Sequence, residues 1–316
     1  MIEEFLRALV RPVAKRIGLF SLSWLLISLP GQNSFQTLAI ASTDPVVRGV
    51  TIELPPMSDY PVWNGNGQGP SLSARGVMVM DVESGAVLLE KNPDIQMMPA
   101  STTKIMTAMV VMEEYSLDEV VKVKNEDESI GSSSDLVKGE RLSVENLLNA
   151  MLISSGNDAA LTLAQHYEGG YGGFVEAMNK KAQDWHMSNT FYKNVSGVEQ
   201  FGHVTSVRDL VILTKEAIKK PLFVEIVGTK QKTITSVDGQ IEHALNNINE
   251  LLGNVEGIRG VKTGFTRNSG ECLVAYVERD GREIITVVLG SSDRFGETRA
   301  LVEWAYGNHE WLTPNF

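Results

Sequence analysis

Three short groups of residues in this chain could do chemistry: Ser101-Thr-Thr-Lys104, Ser155-Gly-Asn157 and Lys262-Thr-Gly264. A serine hydroxyl is a weak nucleophile near neutral pH and needs a neighbour to take its proton. Positions i and i+3 share one face of a helix, so Lys104 can stand beside the Ser101 hydroxyl. At a helix start, unpaired N–H groups and the helix dipole favour negative charge developing there. To act as a base Lys104 must be partly neutral. Burial and a second cation both push a lysine that way, and Lys262 would be such a cation. Ser155-Gly-Asn157 would interrupt a helix and aim a hydroxyl and an amide into a cleft. Lys262-Thr-Gly264 would end a strand with a cation, a hydroxyl and a residue lacking Cβ, so an extended substrate could lie along the strand edge. Singly, each group has a plainer reading, such as a helix start with a solvated lysine or a turn between helices. Together and in this order they predict serine-based acyl transfer.

The elements that must position these groups are legible around them. Gly76-Val-Met-Val-Met-Asp81 and Ala86-Val-Leu-Leu-Glu90 flank Glu83-Ser-Gly85 as a hairpin. Pro99 opens a helical stretch from Ser101 to about Tyr115, and the apolar run from Ile105 to Val110 predicts that it is deeply buried. Lys122 to Glu140 is polar and reads as exposed loop or short strand. Ser143 caps the next helix, whose apolar face holds Leu147, Leu148, Met151 and Leu152. Helical character resumes from Ala159 to Tyr167, and Phe174, Met178, Ala182 and Trp185 recur at helical spacing as core. Ser206 and Asp209 form a capping box before Leu210-Val-Ile-Leu213. Cys272 to Val277 and Ile284 to Leu289, joined through Asp280-Gly281, form a second hairpin. Thr298 to Tyr306 closes the chain as a helix. Strands at both ends around a helical middle predict an α+β fold, an antiparallel sheet with helices packed on it.

Composition bounds the remaining choices. The 316 residues, 43% hydrophobic and 21% charged, describe a globular protein. A net charge of -11 argues against nucleic acid as a partner, because phosphate binding needs a basic face. The single cysteine, Cys272, excludes an intrachain disulfide and reads as a buried small hydrophobe in a strand. The five histidines lack metal-ligand spacing, so no metal or other cofactor is expected. Arg7, Arg11, Lys15 and Arg16 precede an apolar run from Ile17 to Leu29, and Ala39-Ile40-Ala41 offers a cleavage site. Residues 1–41 therefore read as a signal peptide or an N-terminal membrane anchor. Either places the rest outside the cytoplasm. Residues 42–74, with Pro45, Pro55, Pro56, Pro61 and the run Asn64-Gly-Asn-Gly-Gln-Gly-Pro70, read as a flexible linker, with a catalytic domain over 75–316.

With those residues in view, the chain resembles the D-alanyl-D-alanine carboxypeptidases, low-molecular-mass penicillin-binding proteins of the serine β-lactamase/transpeptidase-like superfamily. The resemblance covers residues 75 to 307. It extends to Pro99-Ala-Ser-Thr-Thr-Lys-Ile-Met-Thr107, Ser154-Ser-Gly-Asn-Asp-Ala-Ala160, Asn247-Ile-Asn-Glu-Leu-Leu252, Gly260-Val-Lys-Thr-Gly-Phe-Thr266 and Arg294-Phe295 before Trp304-Ala-Tyr306. It implies a five-stranded antiparallel sheet with a helical subdomain. It implies that Ser101 attacks the carbonyl between two terminal D-alanines, that Lys104 takes its proton, and that Ser155 and Asn157 relay protons and hold the substrate amide. Lys262, Thr263 and Arg294 would bind the terminal carboxylate, Gly264 would let the substrate lie against the strand, and the N–H groups of Ser101 and Phe265 would form an oxyanion hole. The implied partners are peptidoglycan stem peptides and β-lactam antibiotics, met on the outer side of a bacterial cytoplasmic membrane. His203 matches a family histidine and reads first as structural. Two departures stand out: no β-rich C-terminal domain or C-terminal anchor is expected, and Asp184-Trp-His-Met187 replaces the usual Leu-Gly-Met.

Three other readings compete. A class A β-lactamase needs a glutamate in an E-x-x-x-N loop, whereas Glu199 is followed by His203 at the asparagine position. A D-Ala endopeptidase or transpeptidase acting on cross-links would use the same residues. A non-catalytic penicillin-binding wall protein would be expected to lack Ser101, Lys104 or Lys262.

Overall fold

The computed structural model describes residues 59–65, 68–124 and 131–314. The expected signal or anchor segment and the first part of the expected linker lie outside them. In chain order the strands are β1 (Tyr60–Trp63), β2 (Gly76–Asp81), β3 (Val87–Lys91), β4 (Val120–Lys122), β5 (Arg141–Ser143), β6 (Gln231–Thr235), β7 (Glu242–Asn246), β8 (Ile258–Thr266), β9 (Gly270–Arg279), β10 (Arg282–Ser291) and β11 (His309–Leu312). The α-helices are α1 (Lys104–Glu114), α2 (Val144–Ile153), α3 (Asn157–His166), α4 (Gly170–Asp184), α5 (Val207–Ala217), α6 (Pro221–Gly228) and α7 (Arg294–Asn308).

Five antiparallel strands form the central sheet in the order β3-β2-β10-β9-β8, which leaves β8 at an edge. This is the α+β architecture expected. Strands β2, β9 and β10 are nearly unbroken apolar runs because both faces of the sheet are covered. Val77, Val79, Leu273, Ala275 and Val277 pack with Leu301, Val302 and Ala305 of α7. Met78, Cys272, Val274, Ile285 and Val287 face the opposite way, into the core built by the helices between β3 and β8. Cys272 is fully buried there.

Local sequence signals fix several boundaries. The Ser143 side chain accepts from the Asn146 N–H and opens α2, whose Leu147, Leu148, Met151 and Leu152 are buried. The Ser206 hydroxyl accepts from the Asp209 N–H at the head of α5. Each cap satisfies an N–H with no partner inside the helix.

The expected linker is partly wrong. Within 42–74, residues Tyr60–Trp63 form β1 and pair antiparallel with β11, Tyr60 opposite Leu312 and Trp63 opposite His309. Ala74 is fully buried, and its N–H and that of Ser73 both donate to the Glu297 carboxylate at the start of α7. Prolines and glycines excluded a helix here but could not reveal a strand whose partner lies some 250 positions away. The closing helix also runs beyond the expected Thr298–Tyr306, from Arg294 to Asn308. Lys262-Thr-Gly264 sits within β8 rather than at its end.

Candidate active site

Ser101 lies in a single 3₁₀ turn, Ala100–Thr103, that runs directly into α1. Two hydroxyls tie this turn back on itself: Thr102 donates to the Pro99 carbonyl at 2.7 Å and Thr103 to the Ala100 carbonyl at 2.8 Å. Ala100 holds φ +48°, which orients the turn against the β8 edge. Gly264 makes that approach possible. A Cβ there would sit 2.9 Å from both the Ser101 nitrogen and the Ala100 Cβ. Gly197, at φ +86°, closes the turn from the other side, where a Cβ would fall 1.8 Å from the Ala100 carbonyl oxygen.

Lys104, the first residue of α1, is fully buried and its ammonium nitrogen has three oxygen partners. They are the Ser101 hydroxyl at 3.1 Å, the Asn157 side-chain oxygen at 2.6 Å and the Ser196 carbonyl at 2.9 Å. Burial, and then the charge of Lys262, hold the Lys104 amine well below the ordinary lysine range, while Asp158 pulls the other way. Lys262 is buried as well. Burial and the Arg294 guanidinium bring its pKa down to about 7. Among the described residues its one acceptor is the Thr263 carbonyl at 3.2 Å, which leaves ammonium donors to spare there.

Strand parity sorts the β8 residues. Lys262 and Gly264 pair with Val274 and Cys272, whose side chains face the helical core, so Lys262 shares the face of Lys104. Thr263 pairs with Leu273 and faces the α7 side. From the head of α7, Arg294 reaches the Gly264 carbonyl at 3.1 Å, and its buried Nε has no acceptor among the described residues. Arg294 is thus part of the β8 edge rather than of a surface ion pair.

Ser155-Gly-Asn157 does break the helix, between α2 and α3. Ser155 adopts φ +61°, and its buried hydroxyl has no hydrogen-bond partner among the described residues. The Asn157 N–H donates to the Ser132 carbonyl at 2.8 Å. Gly156 has no room for a side chain, because a Cβ would lie 2.2 Å from the Ser134 hydroxyl. Sequence reading assigned no role to the next residue. Asp158 is buried and accepts from the Ser133 hydroxyl and the N–H groups of Ser134, Leu136 and Ala159, which fastens segment 133–136 onto α3.

A cleft of about 350 Å³ opens over these groups, lined by Ser101, Ser132, Asn157, Val198, Phe265 and Arg267 among others. Phe265 is 64% exposed at its edge. The structure therefore gathers Ser101, Lys104, Asn157 and Phe265 directly, with Ser155, Lys262, Thr263, Gly264 and Arg294 around them. Sequence reading missed the Ser196 carbonyl and the Asp158 anchor, both backbone-directed contacts that carry no motif. His203 has the structural role expected of it. Its Nδ1 accepts from the Lys193 and Asn194 N–H groups at 3.0 and 3.3 Å. Its Nε2 must then carry the proton and donate to Thr103 at 2.8 Å.

A serine–lysine pair beneath the edge strand of a helix-covered antiparallel sheet defines a DD-transpeptidase-like, penicillin-binding fold. The crystal structure of the Streptomyces K15 DD-transpeptidase superposes with a TM-score of 0.72 at 29% identity, over 76% of this chain and 100% of that one. Penicillin-binding protein D2 from Listeria monocytogenes, in its ampicillin-bound form, gives 0.67 at 34% identity over 76% and 100%. The chain belongs to the peptidase S11 family, D-alanyl-D-alanine carboxypeptidase, which matches residues 65–293. It is 31% identical to the carboxypeptidase DacF of Bacillus subtilis over 75% of its length, and spans 63% of that relative. It is 34% identical to a D-alanyl-D-alanine endopeptidase of Pseudomonas aeruginosa over 82% of its length and 84% of the relative's.

Proposed function

We propose that the protein is a serine-type D-Ala-D-Ala carboxypeptidase that removes the terminal D-alanine from peptidoglycan stem pentapeptides through an acyl-enzyme. One observation carries the reading: Lys104 is bonded to both the Ser101 hydroxyl and Asn157 at a buried site that favours its neutral amine. In the proposed reaction Lys104 takes the Ser101 proton as Oγ attacks the scissile carbonyl. The resulting oxyanion is held by the Ser101 and Phe265 N–H groups, each worth about 3 kcal/mol. The proton passes to the leaving D-alanine nitrogen, with the Ser155 hydroxyl as relay and Asn157 holding the substrate amide. Water then attacks the ester and frees Ser101. Lys262, Thr263 and Arg294 receive the terminal carboxylate, supported by the spare donors of Lys262 and the Arg294 Nε.

The same serine would be acylated by β-lactams. Residues 59–314 form the catalytic unit, acting outside the cytoplasm after export directed by the basic and apolar N-terminal segment. Among the described residues no helix is long and apolar enough to cross a membrane. Covalent labelling by fluorescent penicillin, with D-alanine release from a pentapeptide, tests the reading. Ser101→Ala is expected to abolish both, and a label that survives this change would overturn it. Endopeptidase action on cross-links is a second reading, favoured by the longer match to the Pseudomonas aeruginosa endopeptidase. Cleavage of a cross-linked dimer in place of D-alanine release would select it.

A further inference from the structure

We propose that Arg267 is a specificity determinant of the cleft that reads a free carboxylate on the acyl side of the substrate, an assignment resting on the Ser101 reading above. Strand β8 is a sheet edge, and an extended peptide adds to such an edge as a further strand. With the terminal carboxylate at Lys262 and Thr263 and the scissile carbonyl at the Phe265 N–H, the peptide runs antiparallel to β8. Its acyl side then extends over residues 265 to 267. Arg267, in the turn after β8, lines the cleft two positions beyond Phe265, which is about 6–7 Å along an extended chain. It therefore meets a substrate residue one or two positions before the acyl D-alanine.

The guanidinium is available for that contact. Among the described residues lining the cleft the one carboxylate is Glu199, which feels the Arg267 charge but accepts its hydrogen bonds from the Asn268 N–H and side-chain amide, both at 2.7 Å. Arg267 forms no ion pair among the described residues and is exposed. In a chain of net charge -11, Arg267 lines the cleft on the acyl side, while Lys262 within β8 and Arg294 on the Gly264 carbonyl stand at the strand edge on the leaving side. A guanidinium presents a planar fork of donors that matches a carboxylate in two places. Two groups on the acyl side could supply the anion: the side-chain carboxylate of the residue before the D-alanine pair, or the α-carboxylate of a γ-linked glutamate one position earlier.

Competition of pentapeptides against fluorescent penicillin tests this without depending on which D-alanine bond is cut. Three peptides are compared on wild type, Arg267→Gln and Arg267→Glu: both carboxylates free, the first amidated, the second amidated. Wild type is expected to lose about fivefold to tenfold in affinity for one amidated peptide, which identifies the source. Arg267→Gln is expected to erase that preference, and Arg267→Glu to reverse it. Equal binding of all three peptides by wild type, or a preference that persists in both variants, overturns the assignment. Failure of wild type to take the penicillin label would instead count against the Ser101 reading.

Discussion

His203 offers a quantitative test of how the nucleophile's turn is held. The imidazole is 2% exposed, and burial lowers its pKa from 6.5 to about 4. Its Nδ1 faces two backbone N–H groups, so a proton there would set three donors against one another. The unfolded chain binds that proton below pH 6.5, whereas the folded chain resists it until about pH 4. Stability is therefore lost as pH falls between those values and the loss is complete below the lower one. A pKa difference of that size corresponds to about 3 kcal/mol. The perturbation is His203→Gln, which cannot titrate. Guanidinium unfolding of both proteins, followed by circular dichroism at steps between about pH 7 and pH 4, gives the two stability curves. The variant is expected to be less stable near neutrality, because the Thr103 hydroxyl loses its imidazole donor. The gap should then narrow by about 3 kcal/mol towards pH 4. Carboxylates titrating in the same range act on both proteins and cancel in the difference. A gap that stays constant within about 1 kcal/mol would refute the assignment of His203 as a neutral, locked brace.

The two buried lysines predict a bell-shaped pH dependence of kcat/KM. The rate should rise with pH as Lys104 loses its proton, and fall as Lys262, which must stay charged to hold a carboxylate, loses its own near pH 7. Lys262→Arg, charged throughout, should lower the neutral rate but remove the falling limb, as steady-state profiles would show. Gly264→Ala places a Cβ 2.9 Å from the Ser101 nitrogen and should slow penicillin acylation about 100-fold, measured by stopped-flow fluorescence. Gly197→Ala adds a Cβ 1.8 Å from a backbone carbonyl at φ +86°, and should cost more than about 2 kcal/mol in denaturant unfolding.

Much of this protein is written in its sequence because the signals are local. Ser143 and Ser206 cap helices through N–H groups three positions on, and Asp280-Gly281 turns one strand into the next. The Ser101–Lys104 contact is likewise local, since three positions of helical chain bring the two side chains together. Apolar periodicity sufficed to bury α1 and to place Cys272 in a covered strand. What the sequence could not determine are the contacts made across long separations. The pairing of Tyr60–Trp63 with His309–Leu312, the Ser196 carbonyl on Lys104 and the reach of Arg294 to Gly264 all depend on where the sheet folds back. The same is true of the chemistry. Residue types name a nucleophile and a base, but only the packed structure buries Lys104 and Lys262 close together, and it is that burial that gives a lysine the properties of a base.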